Sequence, residues 1–211
     1  MEVDARTILV RAPNWLGDAV MALPAMAALR AAFRDRELLV AALASVAPLF
    51  LEDTDAAPDR VVTVDRRREA EDLRASGAGT VILLPNSFGS AWVARRAGIP
   101  ERWGYRAAGR SLLLTRRVPR PRGPQHQSAY YRALVAGLGF EAPDVLPRVG
   151  IRPATARRTS ELLDREGVDR GAPLVGFAPG AAYGHAKRWP PARVAALVRR
   201  LDARTASSAG I

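Results

Sequence analysis

Four short apolar runs, Thr7-Ile8-Leu9-Val10, Leu38 to Leu43, Val61 to Val64 and Val81 to Leu84, limit what this 211-residue chain can fold into. Each is continuous rather than alternating, so neither face is patterned for water, and the stretches between them are long enough for crossover helices. That spacing implies an α/β fold built on a parallel sheet covered on both faces.

The rest of the chain fits around these runs. After Val10 comes the turn Pro13-Asn14-Trp15-Leu16-Gly17-Asp18 and then an Ala-rich helical segment from Ala19 to Phe33, in which Pro24 removes one backbone hydrogen bond and predicts a kink or an irregular first turn. After Leu84 the loop Pro85-Asn86-Ser87-Phe88-Gly89-Ser90 leads into a helix over Ala91 to Ala97, and Arg102 to Tyr105 reads as a further strand. Residues 106–125 are dense in Arg, Pro and Gly and predict an exposed connection with a short strand at Leu112 to Leu114; His126 to Leu138 has a helical pattern. Pro143, Pro147 and Pro153 mark a linker, which divides the chain into a first domain over 1–150 and a second segment over 151–211. The second segment reads as a helix from Ala154 to Gly167, a strand from Leu174 to Ala178, a glycine-containing loop, and a helix that opens at Trp189-Pro190-Pro191 and runs to about Ala203. One strand and two helices fall short of the roughly 100 residues of a typical domain, so this half is expected to be the truncated start of a second Rossmann-like domain.

Composition excludes several classes. No apolar run approaches the roughly 20 residues of a membrane-spanning helix, and Glu2 and Asp4 stand where a secretory signal carries basic residues, which predicts a cytoplasmic protein. With no cysteine, and with His126 and His185 as the two histidines, neither a disulfide framework nor a closed metal site is expected. The net charge of +11 comes from 32 basic residues, all arginine except Lys187. Such an excess is either a solvated surface of a GC-biased sequence or a signal for an anionic partner: nucleic acid, a membrane face or a phosphorylated substrate. The arginines between Arg106 and Arg122 lack the regular aromatic interleaving of single-strand binders, so nucleic acid is not expected.

In open α/β sheets the ligand crevice lies beyond the carboxyl ends of the strands, so the strand-to-helix loops are where chemistry is sought. In the first loop, Asp18 is either an N-cap or a general base, with Gly17 clearing space for a substrate hydroxyl; Trp15 is either a cover for the sheet end or a platform for a sugar ring. The second loop, Pro179 to Pro190, holds Gly180, Ala181, Lys187 and Arg188 ahead of a helix N-terminus, a combination suited to an anion. It is not a P-loop, because Gly184 and Lys187 are not adjacent and no Ser or Thr follows. Lys187 is a compact point charge in a chain that otherwise uses arginine, which suits a phosphate. Asp53-Thr54-Asp55 matches a metal and nucleotide-sugar signature but lies in an Asp- and Pro-rich stretch and reads as a turn. His126, Tyr130 and Tyr131 are either core and cap or reach the crevice.

Ile8-Leu9-Val10-Arg11-Ala12-Pro13-Asn14-Trp15-Leu16-Gly17-Asp18-Ala19-Val20-Met21, with Leu23-Pro24-Ala25, resembles the opening of the ADP-heptose:lipopolysaccharide heptosyltransferases, glycosyltransferase family nine, and its second-heptose enzymes most of all. Gly176 to Ala181 together with Ala186-Lys187-Arg188-Trp189-Pro190 is similar to that family's donor-phosphate motif. Asn86-Ser87-Phe88, Gly98-Ile99-Pro100, Gly104-Tyr105-Arg106 and His126 to Tyr131 follow the family order. The resemblance implies two facing Rossmann-like halves of the GT-B type, with a lipid acceptor on the first and ADP-heptose mainly on the second. It implies inverting transfer of heptose to the inner-core oligosaccharide of lipopolysaccharide, with Asp18 as base and Lys187, Gly180, Ala181 and Arg188 at the donor diphosphate. Asn14, Trp15, Gly17, Asn86, Ser87 and His126 become candidates for the acceptor; no metal or cofactor is implied. A basic first domain would meet the anionic inner face of the cytoplasmic membrane. The rival readings are a noncatalytic acceptor-binding remnant, a GT-B enzyme with another sugar nucleotide, and, last, a basic nucleic-acid binder.

Overall fold

The computed structural model describes residues 4–169, 171, 174–181 and 185–208. The chain divides into two compact units, Met1–Arg157 and Arg158–Ile211.

In the first unit the apolar runs become the strands they predict: β1 (Asp4–Arg11), β2 (Leu38–Leu43), β4 (Arg60–Val64) and β5 (Ala78–Leu83), joined by β6 (Glu101–Tyr105) and β7 (Arg116–Val118). They form one six-stranded sheet in the order β4-β2-β1-β5-β6-β7, and every neighbouring pair is parallel. The chain steps outward from β1 on one side, then returns to lay β5 against the other edge of β1 and steps outward again. The strand order therefore reverses between β1 and β5, the arrangement of a Rossmann-type sheet.

Alternation along the strands divides the core in two. Ile8, Val10, Leu38, Val40 and Ile82 pack on one face with α1 (Leu16–Ala32) and α4 (Gln127–Gly137), around Leu23, Met26, Leu29 and Leu134. Leu9, Leu39, Ala41, Val81 and Leu83 pack on the other with α2 (Glu69–Ala75) and α3 (Phe88–Arg96), around Leu73, Ala91 and Ala94. Helix α1 continues through the buried Pro24 as one 17-residue element.

Three sequence expectations change. Leu112 to Leu114 is not a strand: Arg110–Leu113 forms a 3-10 turn, and the strand lies two residues beyond Leu114, at β7. Asp53–Thr54 is a short strand, β3, that pairs antiparallel with β8 (Val149–Gly150), so part of the expected linker is tied back to the first unit. The Glu52 carboxylate strengthens that tie by accepting from the Arg152 N–H and the Thr155 hydroxyl, at 2.8 and 2.5 Å. Leu174 to Ala178 is not a strand either, because a strand exists only through its ladder partners and none pairs with it among the described residues. The second unit is built from the end of α5 (Pro153–Arg165), a one-turn 3-10 helix at His185–Lys187, and α6 (Pro191–Ser208).

One buried side chain ties the carboxyl ends of β5 and β6 together. Arg110 is wholly buried, and its guanidinium donates to the carbonyls of Tyr105 (2.9 Å) and Pro85 (2.5 Å) and to the Ser90 hydroxyl (3.1 Å), with longer contacts to Ser87 and Asn86. All of these acceptors are neutral. Burial pulls its pKa down to about 10, so it still carries its charge at neutral pH. Gly104 makes the arrangement possible: a Cβ there would lie 2.9 Å from Arg110 Nη2 and 3.3 Å from the Leu83 carbonyl oxygen.

Replacing Arg110 with Met strands the Pro85 and Tyr105 carbonyls, and urea unfolding is expected to show a loss of ~2–3 kcal/mol. Gly104→Val forces the guanidinium out of its place and is expected to cost about 1–3 kcal/mol in the same measurement. Losses below about 0.5 kcal/mol, the scale of an ordinary surface substitution, would mean that the Arg110 network contributes nothing to the fold.

Candidate functional site

At the switch point, the loops after β1 and β5 carry most of the first-unit candidates. Arg11, the last residue of β1, is buried and points toward α2, where its Nε meets the Glu69 carboxylate at 2.6 Å. Its Nη1 donates to the Ala12 carbonyl, and its Nη2 reaches the Asn14 side-chain oxygen at 2.8 Å. Asn14 is thereby held with its oxygen satisfied and its NH₂ group left as the donor.

Trp15 is the N-cap residue of α1 and half-exposed. Asp18 is not the cap; it is the third helical residue, where an acidic side chain complements the helix dipole. Gly17 precedes it with open space around it, since a Cβ built there meets nothing within 4 Å. Among the described residues, no packing contact calls for glycine at that position. Across from α1, α4 presents Tyr131. Burial lifts its phenol to about 12, a Gln127 hydrogen bond pulls the other way, and the Asp18 carboxylate adds to the rise.

Beyond β5, the Asn86 side-chain nitrogen donates to the Tyr130 hydroxyl at 2.9 Å, and the Tyr105 hydroxyl donates to the Tyr130 carbonyl at 2.6 Å. Ser87 caps α3 by accepting from the Ser90 N–H, and His126 caps α4, its Nδ1 accepting from the Ser128 N–H at 3.2 Å. These two candidates therefore have structural duties as helix caps. Asn86, Arg120, Gln125, Gln127 and Tyr130 line a polar cavity of about 310 Å³, with the Arg120 guanidinium 5.8 Å from the centre of the Tyr130 ring. The structure brings Asn86 into this cavity.

Sequence reasoning missed Arg11, Arg110, Arg120 and Gln127 as builders of this edge, and left Tyr131 open between core and crevice. Two signals were present. Arg11 interrupts the end of an apolar strand, and Gly104 inside a strand marks a close approach by another group.

In the second unit, Lys187 lies in the 3-10 turn and is exposed, with no hydrogen-bond partner among the described residues. Arg188 folds back so that its Nε and Nη2 each donate to the Ala181 carbonyl at 3.3 Å, and the Trp189 N–H reaches the Pro179 carbonyl at 3.3 Å. These bonds clasp the two ends of the loop; Ala182, Tyr183 and Gly184 lie outside the described residues. Lys187, Gly176, Phe177 and Trp189 line a cavity of about 260 Å³, and Pro179, Gly180, Arg188 and Val194 line a larger, apolar one of about 810 Å³. Gly180, like Gly17, borders open space. Pro190 and Pro191 have no N–H, so the start of α6 supplies fewer backbone donors than an ordinary helix N-terminus. Among the described residues, no group of three or more His, Asp or Glu is placed to hold a metal ion.

Comparison with known proteins identifies the family. The sequence pattern of glycosyltransferase family 9 (heptosyltransferase) matches residues 66–207. The chain is 32% identical over 208 residues to lipopolysaccharide heptosyltransferase 2 of Escherichia coli and, at the same identity, to that of Salmonella typhimurium; each match takes in 92% of this chain and 60% of the relative. Thus the chain spans about three fifths of the length of the curated relatives it matches. Among solved structures, it resembles E. coli ADP-heptose lps heptosyltransferase II with a TM-score of 0.72 at 26% identity, over 94% of this chain and 62% of that one. A family 9 glycosyl transferase from Veillonella parvula shares the fold, with a TM-score of 0.76 at 20% identity, over 95% and 60% of the two chains. The chain belongs to glycosyltransferase family 9.

Proposed function

We propose that the chain carries the acceptor-binding domain (1–150) and the beginning of the donor-binding domain (151–211) of an inverting heptosyltransferase, which moves heptose from ADP-heptose to the inner-core oligosaccharide of lipopolysaccharide. The observation that carries this reading is Asp18, set in the first turn of α1 at the switch point, beside the open space of Gly17, in a chain of this family.

The chemistry follows from the groups present. An acceptor hydroxyl approaches over Gly17 and gives its proton to the Asp18 carboxylate. The oxygen attacks the anomeric carbon from the face opposite the nucleotide, the new C–O bond forms with inversion, and the bond to ADP breaks with its electron pair on the diphosphate. Lys187 offsets that developing charge, while the loop clasped by Arg188 and Ala181, with Gly180 at its start, provides the surface for the phosphates. Donor contacts made by side chains replace the countercharge that a metal supplies elsewhere, so no cation is required. On the acceptor side, Asn14 and Asn86 are hydrogen-bonded in place for sugar hydroxyls, Trp15 offers a ring face, and Ser87 and His126 border the same edge. The arginine-rich first unit suits an anionic acceptor held at the cytoplasmic face of the membrane. Nucleic acid is not expected to bind.

Asp18→Asn, made in the protein as the native cell produces it, is expected to lower turnover of ADP-heptose by about 10²–10⁴-fold with little change in KM. A rate within a few-fold of the parent would overturn the base assignment. Lys187→Ala is expected to weaken ADP binding by about tenfold or more in calorimetric titration, the loss of a charge-assisted phosphate contact. An unchanged affinity would remove Lys187 from the donor site. Gly17→Ala supplies a separate check on the open space: helix propensity predicts unchanged or slightly raised stability, by about 0.5 kcal/mol, alongside a fall in transfer rate. If the rate holds, the acceptor does not pass over Gly17.

A further inference from the structure

Helix α3 presents an exposed face that neither the core nor the proposed chemistry uses. Its buried residues are Ala91 and Ala94, while Phe88, Trp92, Arg95 and Arg96, at the i, i+4, i+7 and i+8 positions, form an exposed stripe that adjoins them. Phe88 and Trp92 stack on each other with ring centroids 6.4 Å apart and planes 16° apart, yet each remains nearly half exposed. The 3-10 turn packed beside α3 adds Leu112, which is 84% exposed although Leu113 and Leu114 next to it are buried. Large apolar side chains gathered on one rim in this way mark a contact surface.

Charge identifies the occupant. Between Asp72 and Glu141 the sequence holds eleven arginines and one carboxylate, Glu101. Glu101 is itself committed to the Trp103 indole N–H and the Thr115 hydroxyl. Arg74, at the end of α2, donates to the Arg96 carbonyl at 2.6 Å and so adds a third guanidinium beside Arg95 and Arg96. A second copy of the chain would bring these like charges together, which disfavours self-association through this face. A strongly exposed aliphatic side chain such as Leu112 has no stacking partner in a nucleic acid. Stacked aromatics and a leucine flanked by arginines match the interfacial region of an anionic bilayer, where rings settle at the headgroup level and arginines reach the phosphates.

We infer that the face formed by Phe88, Trp92, Leu112, Arg95 and Arg96 docks the chain on anionic phospholipid. The inference rests on the proposed transfer to a membrane-held acceptor, and it names the surface that brings the site to that acceptor. Phe88 directly follows Asn86 and Ser87, so the lipid-facing rim and the candidate acceptor loop are one continuous piece of chain.

The test is cosedimentation of the 211-residue chain with vesicles of phosphatidylglycerol and phosphatidylethanolamine, containing no acceptor, against vesicles of phosphatidylcholine. The chain is expected to bind the anionic vesicles selectively. Phe88→Ser with Trp92→Ser, and separately Arg95→Glu with Arg96→Glu, are each expected to lower partitioning by at least about tenfold, with circular dichroism unchanged because all four side chains are exposed. Trp92→Phe keeps the binding and loses most of the quenching of tryptophan emission by brominated lipid. Parent-like partitioning of both double variants, or no binding to anionic vesicles, overturns the inference; so does a dimer in sedimentation analysis that the aromatic variant abolishes. The function reading fails on different data. In the protein as the native cell produces it, transfer to a deacylated, water-soluble acceptor is expected to survive Phe88→Ser with Trp92→Ser and to be lost with Asp18→Asn.

Discussion

Strand β1 pairs in parallel along both edges, with β2 on one side and β5 on the other, and the first unit is organised around that double pairing. A central parallel strand has no edge and no face left for water, so its residues must be apolar on both sides. Parallel neighbours also require crossovers, which carry the chain over the sheet on helices and deliver every strand-to-helix loop to the same edge. Because the order reverses beside β1, the loops that begin α1 and α3 diverge there and leave room between them. Asn14, Gly17, Asp18 and Asn86 owe their common edge to this topology rather than to their separation in sequence.

Loops at such an edge have no ladder of their own, and here arginines take its place. Arg11 joins β1 to Glu69 of α2 and to Asn14, while Arg110 collects carbonyl and hydroxyl oxygens from the ends of β5 and β6. The planar guanidinium can serve several acceptors at once, which a lysine ammonium in the same volume does not do with fixed geometry. The arginine excess of the chain therefore has at least three destinations: internal ties at Arg11 and Arg110, the polar cavity at Arg120, and the exposed rim of α3 at Arg95 and Arg96. Net charge alone does not distinguish them.

The two units differ in how far their apolar residues are covered. In the first, every residue of β2 and β5 is buried. In the second, Leu174, Val175 and Phe177, which have the composition of a strand, are 57%, 60% and 37% exposed. Strand composition without ladder partners yields an extended segment and no sheet, which is why the reading of 174–178 as a strand does not hold among the described residues. The Leu112 to Leu114 reading fails for a related reason. The apolar run there closes a 3-10 turn that carries Arg110 inward, and the ladder is taken up by Arg116 to Val118, a segment with little strand-like composition.

Continuous apolar runs at crossover spacing were enough to predict β1, β2, β4 and β5 and a parallel sheet covered on both faces, because a strand buried on both sides reads as an unbroken apolar run. Helical patterning predicted α1, α3 and α4, whereas α2 was expected only as a crossover and the segment between β2 and β4 holds a 3-10 turn at Ala47–Leu51. The two loops that carry Asp18 and Lys187 stood out in the sequence as well, since their residue types and spacing resemble the family's motifs. Only the tertiary structure decided which arginines are internal ties and which are surface, that Tyr131 is buried, and that the aromatics of α3 face outward. Each of these depends on contacts between residues far apart in sequence, and a side chain's own identity does not encode whether a distant carbonyl, a carboxylate or water will stand opposite it.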